Sequence, residues 1–175
     1  MKKLFLLLIL CFIVFIIYEF FLDRRVKYLY IGNNSYDRYN QIIKERYMPK
    51  EYKEYIRDDD YRVMDLINEI KYNKKIGNRT IQNLLIKSNV IIISIGINDL
   101  EYKEELNYKY IDEFLHDIEE LLILIRKYNK DKIYFLGYYN KNKYFDYINR
   151  ELKTICKNSK ITYIDIEDSI YKQLY

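Results

Sequence analysis

Alanine and tryptophan are absent from this 175-residue chain, proline occurs once, histidine once, cysteine twice and glycine four times. Each scarcity excludes a class. Two cysteines cannot build a disulfide framework, and one histidine with two cysteines leaves no His/Cys cluster to hold a catalytic metal. So little glycine and proline rules out collagen-like and linker-rich chains, and a hydrophobic share of 50% rules out disorder. What is abundant is tyrosine, 22 in all, together with Ile, Lys and Asn. That skew matches A+T-rich codon usage, so no single Tyr or Lys is informative by its type alone.

Net charge is +4. Residues 1–25 contribute Lys2, Lys3, Arg24 and Arg25 against Glu19 and Asp23, which leaves 26 basic and 24 acidic residues beyond them. A nearly neutral remainder argues against nucleic acid as a partner, since phosphate neutralisation needs a clustered basic surface. Cys11 lies in an apolar run and Cys156 on the apolar side of a predicted helix, so an intrachain disulfide is not expected.

Residues 4–22, LFLLLILCFIVFIIYEFFL, are almost uninterruptedly apolar. As a helix they are about 28 Å long, close to the hydrocarbon thickness of a bilayer. The run is too long for a cleaved signal peptide and lacks a small-residue cleavage site, which predicts a retained signal-anchor over residues 1–25 and a single-pass membrane location. Lys2 and Lys3 on one side balance Arg24, Arg25 and Lys27 on the other, so charge does not set the orientation.

Residues 26–175 read as one domain. Val26 to Ile31, Asn89 to Ile95, Lys132 to Leu136 and Ile161 to Ile166 are short β-branched or aromatic runs of the kind that form strands buried on both faces, and a further strand is expected near Tyr52 to Arg57. Between them run helical periods. Ile111, Phe114, Leu115, Ile118, Leu122 and Ile125 share one face, as do Tyr144, Tyr147, Ile148, Ile155 and Cys156, and weaker periods cover Tyr36 to Tyr47, Arg62 to Tyr72 and Thr80 to Lys87. Alternating strands and helices predict an α/β fold with a parallel sheet of about five strands covered on both sides. Gly32, Gly96 and Gly137 each end a predicted strand, which is where an open parallel sheet places its ligand crevice. For Gly137 and Asn140 a simple turn is the expected role.

SIGINDL at 94–100 resembles the Gly-x-Asn-Asp block of the SGNH/GDSL hydrolases. YRVMDLINEI at 61–70 resembles the segment after that family's second block, and YLYIGNNS at 28–35 stands where its first block, Gly-Asp-Ser, ends strand one. The resemblance covers residues 26 to about 166. It implies a flavodoxin-like three-layer α/β/α domain, an ester (acyl) hydrolase activity without a cofactor, a cell-surface or lipid/glycan acyl ester as substrate, and an extracytoplasmic location. Residue by residue it implies Ser35 as nucleophile, Asn98 as oxyanion donor, Gly96 as the turn that frees that loop, and Gly32, Asn33, Asn34, Asp60 and Asp99 around the crevice. Such chemistry needs a base for the hydroxyl and preorganised donors for the oxyanion.

The departures are specific. Asn34 stands at the nucleophile position with Ser35 one place later, Asn33 replaces the preceding acid, Asp60 replaces the second-block glycine, and Tyr171 stands where the late Asp-x-x-His motif has its base. A phenol is a poor base at neutral pH. The one histidine, His116, is expected on the solvent side of its helix. Ser35 also suits a helix N-cap. The alternative is therefore a catalytically degenerate module that keeps the crevice to bind an acylated glycan or lipid. A nucleotide-binding reading lacks a glycine-rich phosphate loop.

Overall fold

Four consecutive β-branched residues at 90–93 put the centre of the sheet where both faces are buried, because a strand covered on two sides has no use for polar alternation. The computed structural model describes residues 9, 11–14, 28–33, 53–57, 61–101, 105–138 and 143–166. In chain order these form β1 (Tyr28–Asn33), β2 (Lys53–Arg57), α1 (Val63–Lys71), a small hairpin of β3 (Lys75–Ile76) and β4 (Arg79–Thr80), and α2 (Ile81–Lys87). There follow β5 (Val90–Ser94), the short α3 (Ile97–Glu101), α4 (Tyr108–Tyr128), β6 (Lys132–Leu136), α5 (Lys143–Asn158) and β7 (Thr162–Ile164).

The main sheet has the order β2-β1-β5-β6-β7 with every neighbouring pair parallel. It is an α/β arrangement of a parallel sheet flanked by helices. One sheet face, including Leu29, Ile31, Ile91, Ile93, Ile133 and Phe135, packs with the apolar sides of α1, α2, α4 and α5 into a single core. The other face gathers Tyr30, Val90, Ile92, Leu136 and Ile164. The strand and helix expectations that fall on described residues hold with small shifts of boundary, except that Ile166, expected in the last strand, is already helical. Patterning did not anticipate the β3–β4 hairpin, whose turn uses Gly77 at φ 56°, or α3.

Local signals fix the helix ends. Thr80 accepts from the Asn83 amide to start α2, and Asn107 accepts from the Tyr110 amide to start α4. Asn129 ends α4 and is buried; its amide donates to the carbonyls of Leu85 (2.7 Å) and Ser88 (2.5 Å), while its Oδ1 accepts from the Asp131 N–H. One side chain thereby closes the last turn of α2 against the last turn of α4.

Cys156 is buried and His116 exposed, as expected. Among the described residues no helix is long and apolar enough to cross a membrane. Most of the apolar run, Asn34, Ser35, Asp60, Tyr171 and the helical period at 36–47 lie outside the described residues.

Candidate functional site

Parallel strands of equal register bring YLYIGN at 28–33 and SIGINDL at 94–100 together. Gly32 lies beside Ser94 across the β1–β5 pair, and on the other side Asn33 pairs with Arg57 of β2. The loops that begin at Gly32, after Arg57 and at Gly96 therefore leave the same edge of the sheet side by side. Gly32 permits the close approach: a Cβ there would stand 2.8 Å from the Ser94 carbonyl oxygen.

Gly96 has φ 105°, a conformation that L side chains rarely adopt. Space is as restrictive as the backbone, since a Cβ would overlap the Tyr138 hydroxyl and meet Phe114 Cζ at 2.9 Å. Tyr138 is buried against Phe114, Phe135 and Phe145, and its hydroxyl donates to the Ile95 carbonyl at 2.6 Å. Its own backbone is fixed by Asn149, which accepts from the Tyr138 N–H (2.9 Å) and donates to the Tyr138 carbonyl (2.7 Å). The loop after β6 thus buttresses the loop after β5.

The Asn-Asp pair acts on the second loop. Asn98 is 1% exposed, and its Nδ2 donates to the Tyr61 carbonyl at 3.0 Å. Asp99 Oδ2 accepts from the Val63 N–H at 3.2 Å. Val63 is the first residue of α1, and the N-cap before it, Arg62, has no acceptor in its side chain; Asp65 in the first turn accepts from the Arg62 N–H at 2.9 Å, and the acceptor for the Val63 N–H comes from Asp99 of α3. Tyr61 is held at its far end as well, where its hydroxyl donates to Glu69 at 2.7 Å. The consecutive side chains of Asn98 and Asp99 bracket Arg62 and latch the segment at 61–63 to the loop and helix that follow β5.

Burial pushes the Asp99 carboxyl up to about 6, against the opposing effects of hydrogen bonds from the Val63 and Asp99 amides and the charge of Arg62, with Asp117 adding to the rise. Tyr110, which donates to the Asp99 carbonyl at 2.7 Å, is raised by burial and then by the Asp99 charge. The sign for stability follows from the folded carboxyl holding its proton more tightly than the ordinary carboxyl of the unfolded chain. The contribution of Asp99 to stability is therefore full below about pH 4 and is lost as pH rises toward about 6. Asp99→Asn keeps the acceptor for Val63 and removes that loss. Its expected gain is about 2 kcal/mol at pH 7.5, or about 5 °C in midpoint, with no gain at pH 4. Thermal melts of both proteins at the two pH values check it; an equal shift at both would discard the titration as the cause.

Of the site residues expected from sequence, the structure brings together Gly32, the Asn33 backbone, Gly96, Asn98 and Asp99. Asn34, Ser35 and Asp60 are not among the described residues. Tyr61, Tyr138 and Asn149 were not singled out from sequence. In a chain with 22 tyrosines nothing marks the two whose carbonyl or hydroxyl supports a loop, and Asn149 lies 11 residues from its partner with no motif to connect them. Among the described residues there is no group of three or more His, Cys, Asp or Glu side chains that could hold a metal ion. No protein-family model and no curated protein matches the chain.

Proposed function

We propose that this chain is a membrane-anchored SGNH/GDSL-hydrolase-like protein, with a flavodoxin-like three-layer α/β/α domain at 26–175 held outside the cytoplasm by a signal-anchor at 1–25. Its crevice, at the carboxyl ends of β1 and β5, recognises an acyl ester on a cell-surface glycan or lipid, the substrate class of the family it resembles. The observation that supports this reading is the strand order: β2 is added on one side of β1 and β5, β6 and β7 on the other, so the order of addition reverses between β1 and β5, and Gly32, Gly96 and the Asn98-Asp99 pair all stand at that switch point, where open α/β sheets bind ligands. Hydrolysis would use Ser35 as nucleophile and Asn98 as oxyanion donor.

Binding without turnover is the reading favoured by one further observation. The Asn98 amide, buried and donating to Tyr61, is engaged in holding the fold rather than turned toward a reacting oxygen. Together with Asn34 at the nucleophile position and Tyr171 at that of the base, this leads to a definite expectation. The full chain in detergent should hydrolyse short p-nitrophenyl esters no faster than its Ser35→Ala variant. Stoichiometric labelling of Ser35 by a fluorophosphonate, with a rate that the alanine variant loses, would restore the hydrolase and make Asp37, Asp60 and Asp168 the first candidates for its base.

A further inference from the structure

The near-neutral charge of the domain conceals a separation along the strand axis. Because the sheet is parallel throughout, all amino ends share one edge and all carboxyl ends the other. The stretches that lead into β5, β6 and β7, residues 87–89, 126–132 and 157–160, carry seven basic residues and one acid, Asp131. Among the described residues that follow the carboxyl ends, 61–62, 95–101, 105–107, 137–138 and 165–166, there are four acids, Asp99, Glu101, Glu105 and Asp165, against one basic residue, Arg62.

Helix termini account for part of the basic edge. Lys87, Lys127 and Lys157 occupy last turns, where cations oppose the negative end of the helix dipole. Arg126 serves the backbone: its guanidinium donates to the carbonyls of Ser159, Asp131 and Lys160. Lys132 and Lys160 have no such explanation. Both are exposed; Lys132 opens β6, and Lys160 sits past the end of α5 at φ 57°. With Lys130, whose ammonium also donates to the Arg126 carbonyl at 2.6 Å, they flank an open cleft of ≈620 Å³ whose walls include Tyr28, Val90 and Thr162, the first residues of β1, β5 and β7.

Tyr28 is also where the chain arrives from the apolar run. Only residues 23–27 separate Leu22 from it, a stretch that reaches no more than about 20 Å even when fully extended, and these add Arg24, Arg25 and Lys27 against Asp23. A membrane-spanning run therefore forces the amino edge of the sheet close to the headgroup layer. We propose that this edge is a membrane-docking face, on which Lys130, Lys132 and Lys160 bind the headgroups of anionic phospholipids while the acidic carboxyl edge, with the crevice, points away from the bilayer. The proposal rests on the anchor in the reading above. The match is one of charge: each lysine near an anionic surface is worth about a fivefold preference, screened by salt.

The test uses the full chain in nanodiscs of phosphatidylcholine alone or mixed with phosphatidylglycerol, with lysine acetylation rates read by mass spectrometry. Lys109, exposed at the start of α4 on the opposite edge, is the internal reference. Lys132 and Lys160 should label about fivefold more slowly relative to Lys109 in the anionic discs, and recover in 1 M salt. Equal ratios in the two lipids overturn the docking face. The anchor is read separately: a chain that fails to co-elute with the zwitterionic discs refutes the anchor, while the labelling ratio in anionic discs still decides the docking.

Discussion

Gly96→Ala is expected to lower the unfolding free energy by about 3–5 kcal/mol, a fall in melting midpoint of more than about 8 °C. Two costs combine. A residue with a Cβ at φ 105° is strained whatever its surroundings, and the added methyl group runs into the Tyr138 hydroxyl and the Phe114 ring inside a packed core. Tyr138→Phe separates them. Alone it removes the bond to the Ile95 carbonyl and costs about 1–2 kcal/mol. In Gly96→Ala it also vacates the space the methyl group needs, so the double variant should be more stable than the sum of the single effects by about 1–2 kcal/mol. Strict additivity in denaturant titrations would show that backbone strain alone makes glycine necessary here.

Asn98→Ala is the second large effect, about 2–4 kcal/mol, because it leaves the Tyr61 carbonyl without its donor in a site that water does not reach. Asn98→Asp should be worse at neutral pH, since it turns a carboxylate oxygen toward a carbonyl oxygen. It should recover as the pH falls and the acid regains a proton to donate, because a buried carboxyl facing an acceptor has its pKa raised. A residue that served only as an oxyanion donor would behave otherwise: its alanine variant would keep the melting midpoint and lose about 10²- to 10³-fold in rate. Thermal stability measured across pH on the three proteins therefore distinguishes the latch from the oxyanion role.

These expectations depend on contacts of different legibility. The sheet was readable because strands buried on both faces need continuous apolar runs, and 90–94 and 132–136 supply them; the helices were readable because α4 keeps its apolar residues at a spacing of three and four over 21 residues. The glycines at 32 and 96 were readable as strand exits. The hairpin at 75–80 was not, because two residues per strand are too few to establish a period. Equally hidden was the charge separation, since seven basic residues spread over three short connections look unremarkable until a parallel sheet collects them on one edge.

The Asn98-Asp99 pair marks the boundary. Its residue types and its place after a buried strand are properties of the sequence, and they suffice to suggest a site. What the pair does was decided by the tertiary structure, which carries Tyr61 and Val63 across 37 and 36 residues to meet it. Local patterning reports which residues want to be buried and with what period, because that preference is carried by each side chain. Partners of hydrogen bonds over such separations are set by how the strands order themselves in the sheet, and only the assembled fold determines them.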